Sequence, residues 1–472
     1  DEEVLPVPEW PNAAVKPDVV KAWVVLEMVG FRAEQERELL SRMTLSHKRV
    51  WLSRRLYREH HGGHMAEEDP ILFVECSRDD TKGAVLSELR ASFNRGVGLG
   101  GDLSGTLEVH FKDENSAGSA VRREWFSLVS EAFLAPHEKL LTSSDLGQTA
   151  RPTALHPDDE AADQLKDYEM FGRFLGLALL QQVTVSVRLQ PSICKLLLCA
   201  NEAGEWTDTE VAELDALFFK HKVEYVRSNP VEHLCLDFTD VLHDLSAADS
   251  ADAPADAEIE RRVELRPGGE ELAVDEENKL EYVRAACEWR LFGSVHRQVD
   301  AMLRGMYAAV PQRIVGELAQ LITPADLACM LAGEADIDAA DWQRNSLTSG
   351  GMRRSSKSFR WFWRAVRSFS LREREQLLQF VTGSRRPPVG GFAQLQGFNG
   401  GVHKFTLCLA HEPKDSLPRA HACICTMDLP DYSSYEALRR SVHTALSMGS
   451  VGFDDAAVAA DDADAGAPSD AA

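Results

Sequence analysis

The chain has 472 residues, 44% of them apolar, with 75 acidic against 51 basic side chains and a net charge of −24. That size and apolar content suit two or three packed cores. The acidic balance argues against nonspecific binding to nucleic acid or to anionic lipid, both of which need a basic surface. No stretch approaches the roughly 18–20 continuous apolar residues of a membrane span. The opening DEEVLPVPEW lacks the basic and apolar regions of a secretory signal. It also lacks an initiator Met, so the chain is expected to be a domain or fragment of something longer. Cys76, Cys194, Cys199, Cys235, Cys287, Cys329, Cys408, Cys423 and Cys425 form an odd, sparse set without paired metal-ligand spacing. They read as reduced thiols of the cytosol or nucleus, with neither a disulfide framework nor a structural zinc.

In chain order, residues 1–45 read as a Pro-punctuated N-terminal extension with a helical candidate around VVKAWVVLEMV. Dense periodic segments begin at LSHKRVWLSRRL. VRREWFSLVSEAF sets Val121, Trp125, Leu128, Val129 and Ala132 at helical spacing. YEMFGRFLGLALL is apolar nearly all round, which predicts a buried helix. Residues 244–260 carry six acids and no base, a solvated insert. ELRPGGEELAV then turns at Pro267, Gly268 and Gly269 between two extended pieces. GSVHRQVDAMLRGM lines up Val295, Val299, Met302 and Met306 on one helical face. NSLTSGGMRRSSKS, residues 345–358, is small, polar and Gly-containing, the composition of a flexible connector. Two helices follow, FRWFWRAVRSF with Phe359, Phe362, Val366 and Phe369 on one face, and LREREQLLQFV. GSRRPPVGGF is a Pro/Gly corner, FTLCLA a strand candidate, and HACICTMDL an extended run bounded by Pro418 and Pro430. YEALRRSVHTAL is an amphipathic helix through Tyr435, Leu438, Val442 and Leu446. The Asp/Ala tail, residues 454–472, reads as disordered. The pattern is a large, mostly helical piece, a short flexible joint and a small mixed α+β piece.

No P-loop, G-x-G-x-x-G, HExxH or G-x-S-x-G is present, so the strong phosphate, metal and serine-hydrolase signals are absent. What remains is LPRAHACICTMDLPDYSSYEAL. Cys423 lies two residues after His421, and Cys425 shares its parity, so both would face one side of an extended run. An exposed thiol with pKa near 8.5 is already about a few per cent thiolate at neutral pH, enough for a nucleophile. The bland alternative is that all nine cysteines are small buried hydrophobes. A Cys-His hydrolase is a sharper reading, though no third member or oxyanion hole is marked.

This stretch resembles the C-terminal lobe of HECT-type ubiquitin-protein ligases, whose pattern is LP-x-A-H-T-C-F-N-x-L-x-LP-x-Y-x-S, a helix, then GF. Leu417, Pro418, Ala420, His421, Cys423, Leu429, Pro430, Tyr432 and Ser434 fall on it. FVTGSRRPPVGGFAQLQG, RWFWRAVRSF, ELRPGGEELAVDEENKLEYV, FGRFLGLAL and REWFSLVSEAF also resemble the family, in the family's order, from about Lys48 to Phe453. The resemblance departs at Ala422, where Thr is usual, and at Ile424-Cys425, where Phe-Asn is usual. FKDENSAGSAVRREWF replaces a Gly-richer, one-residue-longer stretch, and the chain continues beyond the family's usual end.

The resemblance implies an α+β, bilobal HECT-like domain: a large, mostly helical N-terminal lobe and a small α/β C-terminal lobe joined by a flexible hinge. It divides the chain into an extension (1–45), an N-lobe (46–345), a hinge (346–352), a C-lobe (353–453) and the acidic tail (454–472). A subdomain at about 190–263 would bind the conjugating enzyme. It implies that Cys423 takes ubiquitin from a charged conjugating enzyme as a thioester and passes it to substrate lysines. His421 would support the cysteine, and Phe453 would dock the C-lobe on the N-lobe. Leu217, Phe218, Phe219 and Val223 would contact the conjugating enzyme, and Gly350 and Gly351 would be hinge points. The partners implied are ubiquitin, a conjugating enzyme and protein substrates, with no metal or organic cofactor, nucleic acid or membrane. The alternative is a non-catalytic scaffold that binds conjugating enzyme or ubiquitin but has lost efficient transfer.

Overall fold

The structure is a computed structural model and describes residues 33–61, 70–78, 83–114, 118–143, 149–202, 204–244, 259–397 and 401–448. The helical candidate of the N-terminal extension, most of the acidic insert, Phe453 and the Asp/Ala tail lie outside the described residues. The apolar side chains gather into two separate cores. One runs from Leu40 to Leu331 with Val389 added, the other from Ile337 to Leu446.

The first core is built on α1 (Ala33–Ser41), α2 (Leu45–His61) and a parallel pair, β1 (Ile71–Cys76) and β2 (Thr106–Phe111), bridged by α3 (Ala84–Asn94). Next come α4 (Ser119–Leu134), the short antiparallel pair β3 (Leu141–Ser143) and β4 (Ala150–Pro152), and α5 (Ala162–Leu180). Of the five residues set at helical spacing on α4, Val121, Trp125, Val129 and Ala132 are buried and Leu128 is partly buried against the same core. On α5 the run from Met170 to Leu179 is buried except for Arg173, which fits a helix apolar nearly all round. After α6 (Pro191–Leu198), α7 (Asp208–Leu214) starts on a capping box in which Thr207 and Glu210 bond reciprocally. A continuous helical run at 216–228, here α8, contains a π segment at Phe219–Glu224. β5 (Thr239–Asp244) and β6 (Ile259–Glu264) form a hairpin on either side of the acidic insert. α9 (Lys279–Leu291), α10 (His296–Met306), α11 (Gln312–Ala319) and α12 (Pro324–Ala332) complete this part. Val295, Val299, Met302 and Met306 are all buried, and α10 lies directly on α5.

The second core holds α13 (Ala339–Arg344), β7 (Leu347–Ser349), α14 (Lys357–Ser368), α15 (Leu371–Thr382), β8 (Thr406–Leu409), β9 (Arg419–His421), β10 (Thr426–Leu429) and α16 (Tyr435–Met448). Its sheet has the order β7-β8-β10-β9, with β9 antiparallel to β10 and the other two pairs parallel. Phe359, Phe362, Val366 and Phe369 of the α14 segment are buried together, as are Leu438, Val442 and Leu446 of α16. Trp342 of α13 stacks on Phe392 at 4.7 Å between ring centroids and meets Trp363 and Phe405 edge-on.

Two expectations change here. Residues 346–352 are not the passage between the cores. β7 is paired into the second sheet and Trp342, still earlier, is in the second core, so the chain crosses between cores at 332–336. Gly350 (φ 58°) and Gly351 (φ 83°) instead make a tight turn, closed by Met352 N donating to Ser349 O at 2.9 Å. A Cβ on Gly350 would lie 2.5 Å from Cys408 Sγ, so this glycine answers a packing need. HACICTMDL is not one extended run either. It folds back on itself, His421 pairing with Thr426, around a 3₁₀ turn at Ala422–Ile424.

The contact between α5 and α10 depends on glycine. A Cβ on Gly172 would collide with the carbonyl of Met302, and one on Gly305 with the carbonyl of Glu169. Gly305→Ala should therefore cost at least about 1–3 kcal/mol by forcing the helices apart. Gly316→Ala on α11, where nothing lies within 4 Å, should be neutral or stabilising. Urea unfolding of both variants checks this; equal stabilities would contradict the close-approach argument.

Candidate active site

The β9–β10 hairpin determines what each cysteine can do. Cys425 closes the turn in the left-handed region (φ 50°), its amide reaching back to Ala422 O. Its side chain points into the second core, fully buried, with Sγ 3.4 Å from Gln396 O. Burial pushes its thiol up to about 11. Cys423, at the middle of the turn, stays half-buried, and Ile424 beside it is exposed. The shared parity of the two cysteines does not give them a shared side, because the turn falls between them.

Burial also pushes Cys76, Cys194 and Cys287 up to about 12 and Cys329 up to about 11. Of the remaining thiols, Cys199 and Cys235 are exposed, far along the chain from the hairpin, and Cys408 is half-buried on β8. Cys423 is therefore the candidate nucleophile on the hairpin. His421 ends β9 with Nε2 3.0 Å from Asp428 Oδ2 on β10, a diagonal cross-strand pair. Asp428 was not singled out by sequence, since only the hairpin register brings it to His421. Outside the turn, Tyr432 Oη donates to Ser416 O at 3.0 Å, and Asp415 receives the amide and hydroxyl of Ser433 at 2.9 and 2.8 Å. These bonds fasten the two Pro-bounded ends of the hairpin to one another.

The hairpin also touches the first core. Arg123 of α4 donates through Nε to Thr382 O at 2.7 Å and through Nη2 to Ala422 O at 3.0 Å. Thr382 is the last residue of α15, whose C-terminal carbonyls lack helical partners, and Gly383 (φ 78°) ends the helix as its left-handed cap. Arg123, Arg49 and Arg386 with Thr184, Ser384 and Gln396 line a cavity of about 20 Å³ between the cores, room for one water molecule. No spacing in the sequence identified Arg123. It lies off the apolar face of α4, and its partners are main-chain carbonyls.

The residues expected to receive a conjugating enzyme separate by burial. Leu217 is 67% exposed, but Phe218 and Val223 are buried in the first core and Phe219 is partly buried. Phe218 and Val223 are thereby removed from any contact surface; Arg290 caps the Phe218 ring at 4.0 Å. The π segment causes this. Residues five apart share a face where the helix widens to i→i+5, so Val223 turns inward with Phe218. Leu217 faces an open cleft of about 490 Å³ between this subdomain and β3–β4, walled also by Leu214, Arg151, Asp240, Trp289 and Arg290.

Native alkylation should separate these thiols. At pH 8 a thiol with pKa about 11 is thiolate in about one molecule per thousand, so iodoacetamide should label Cys423, Cys199 and Cys235 well before Cys425. Peptide mass mapping reads the order; Cys425 reacting as fast as Cys423 would contradict the hairpin geometry.

A family model described as HECT-domain (ubiquitin-transferase) matches residues 127–455, well over half of the chain. The chain is 31% identical over 351 residues to the E3 ubiquitin-protein ligase HACE1 of Xenopus tropicalis and to that of Homo sapiens, covering 74% of this chain and 36% of each relative. It is 30% identical over 351 residues to the E3 ubiquitin-protein ligase ptr1 of Schizosaccharomyces pombe, covering 10% of that protein. The chain thus spans about a third of the length of the HACE1 relatives. Cys423, His421, the two carbonyls that Arg123 meets and the subdomain with Leu217 lie within the matched residues, and the chain belongs to the HECT-domain family of ubiquitin transferases.

Proposed function

We propose that this chain is the catalytic region of a ubiquitin-protein ligase that carries ubiquitin on Cys423. The observation that supports it best is the hairpin, which keeps Cys423 at the solvent edge while Cys425 is sealed in the core. The Cys423 thiolate attacks the carbonyl carbon of the ubiquitin C-terminal thioester on a conjugating enzyme. A tetrahedral adduct collapses and that enzyme's thiolate leaves. A substrate lysine amine then attacks the new thioester, an amide forms, and the Cys423 thiolate leaves. The amine's proton passes to solvent or to a nearby base. One thioester replaces another in the first step, so it is close to neutral energetically; the second runs downhill to the amide.

The donor thioester sits on a separate protein, so Cys423 has to approach it. Around the water-sized cavity the cores meet through arginine side chains and main-chain carbonyls, contacts that can part if the cores separate as bodies. We assign the joint to 332–336, the residues between Leu331, on the last helix of the first core, and Ile337 of the second. The exposed Leu217 and its cleft are the surface assigned to the conjugating enzyme. His421, paired with Asp428, is assigned to holding the end of β9 under the cysteine.

Transfer from charged conjugating enzyme tests this. Cys423→Ala should form no reductant-sensitive adduct, and Cys423→Ser should accumulate a reductant-resistant ester. A scaffold would bind the charged enzyme without any adduct, and a hydrolase would release ubiquitin from chains. A reductant-sensitive adduct that persists in Cys423→Ala would falsify the assignment.

A further inference from the structure

We infer that Arg123 is a positioning residue for the delivery step, one that clamps the Cys423 hairpin to the first core after ubiquitin has been received. The inference rests on the reading of Cys423 as the ubiquitin carrier. Its geometric basis is a single buried side chain, 8% exposed, that joins three places distant in sequence. The guanidinium leaves α4, meets the end of α15 at Thr382 O, and meets the hairpin at Ala422 O, one residue before Cys423.

The approach is tight along its whole length. A Cβ on Gly383 would lie 3.2 Å from Ala120 O and 3.4 Å from the Cβ of Arg123, so α15 ends directly on α4. Ser127, one turn further along α4, donates weakly to Gly383 O at 3.5 Å. Only a forked, planar donor can satisfy both carbonyls at once; a lysine ammonium is a point donor on a flexible stem. The Ala422 carbonyl also accepts the amide of Cys425 across the turn at 3.4 Å. Arg123 thus holds the peptide group on which the turn carrying Cys423 is closed.

The direction of the effect follows from where Arg123 stands. It lies in the second turn of α4, and the helix runs on for eleven residues to Leu134, about 16 Å. Beyond that end come β3 and β4, and across the cleft from them stands the subdomain with Leu217. The clamped hairpin is therefore at the end of α4 away from the surface that would receive the conjugating enzyme. Both Arg123 bonds cross between the cores, so they break when the second core swings to collect ubiquitin and reform when it returns. The clamp belongs to delivery, when the thioester on Cys423 must be held for an attacking amine.

The test uses the full chain, ubiquitin charged on a conjugating enzyme that loads the wild type, and free L-lysine as acceptor. Arg123→Met keeps the apolar stem and removes the fork. We expect loading of Cys423 within twofold of wild type and discharge to lysine at least tenfold slower. Arg123→Lys should discharge at an intermediate rate, and Ser127→Ala close to wild type. Independently of activity, amide hydrogen exchange at 420–427 should rise at least tenfold in Arg123→Met, while the α5–α10 amides stay protected. That contrast separates a local clamp from general unfolding. If Arg123→Met does not fold, Arg123→Lys carries the same comparison with smaller amplitude. Loading slowed as much as discharge, unchanged discharge, or unchanged exchange at 420–427 each overturns the role. A wild type that forms no adduct refutes the carrier reading instead, and the exchange experiment still decides whether the clamp exists.

Discussion

One side chain, Arg123 of α4, joins the two hydrophobic cores by donating to main-chain carbonyls at Thr382 and at Ala422, the residue before Cys423. Within each core, packing is close: α5 and α10 touch backbone to backbone through Gly172 and Gly305, and Trp342, Trp363, Phe392 and Phe405 interlock. Burying one such aromatic contributes about 1.5–3 kcal/mol, so neither core deforms cheaply. Around Arg123 the junction holds arginines, main-chain carbonyls and a water-sized cavity, while Val389 of the second half is buried in the first core. A hydrogen bond to a charged donor contributes about 1.5–3 kcal/mol, and the Arg123 pair is of the size that a conformational equilibrium can make and break.

The cysteine chemistry follows from the local fold. A continuous strand would have set Cys423 and Cys425 on one face, both buried or both exposed. The left-handed residue at Cys425 turns one thiol into the core and leaves the other at the edge. This also explains why Ile424-Cys425 can stand where the family usually has Phe-Asn. Cys425 replaces a polar side chain by a small apolar one and fills core space, with burial holding its thiol protonated at about 11. Ala422, in place of the usual Thr, is buried, and its carbonyl rather than a hydroxyl makes the contact with the first core.

The sequence was legible where burial alone decides structure. The stripes of α10 and α14 and the all-round apolar α5 fell where the periodicity put them, and those of α4 and α16 did so apart from Leu128 and Tyr435, which are only partly buried. The expectation for Cys423 came from the resemblance of its Pro-bounded stretch to the family, and the structure sets that residue half-buried in the hairpin turn. Features set by contacts remote in sequence were not legible. The passage between cores moved from 346–352 to 332–336 because β7 pairs with β8, a strand nearly sixty residues later. The small polar composition of that segment reflects a tight glycine turn rather than freedom. Phe218 and Val223 were named from the family's conjugating-enzyme subdomain rather than from any periodicity, and both are buried in the first core. Arg123 and Asp428 carry no local signal, since their roles depend on two carbonyls and on a hairpin register.

The central claim is that ubiquitin rides on Cys423. The measurement that addresses it most directly is a single turnover from charged conjugating enzyme onto the wild-type chain, quenched without reductant and mapped by peptide mass spectrometry. The account predicts a glycyl thioester on the peptide containing Cys423, lost on adding reductant, with Cys425 unmodified. A thioester mapped to Cys425, Cys408 or any other cysteine, or ubiquitin found only on lysine with no thioester at any time, would contradict it.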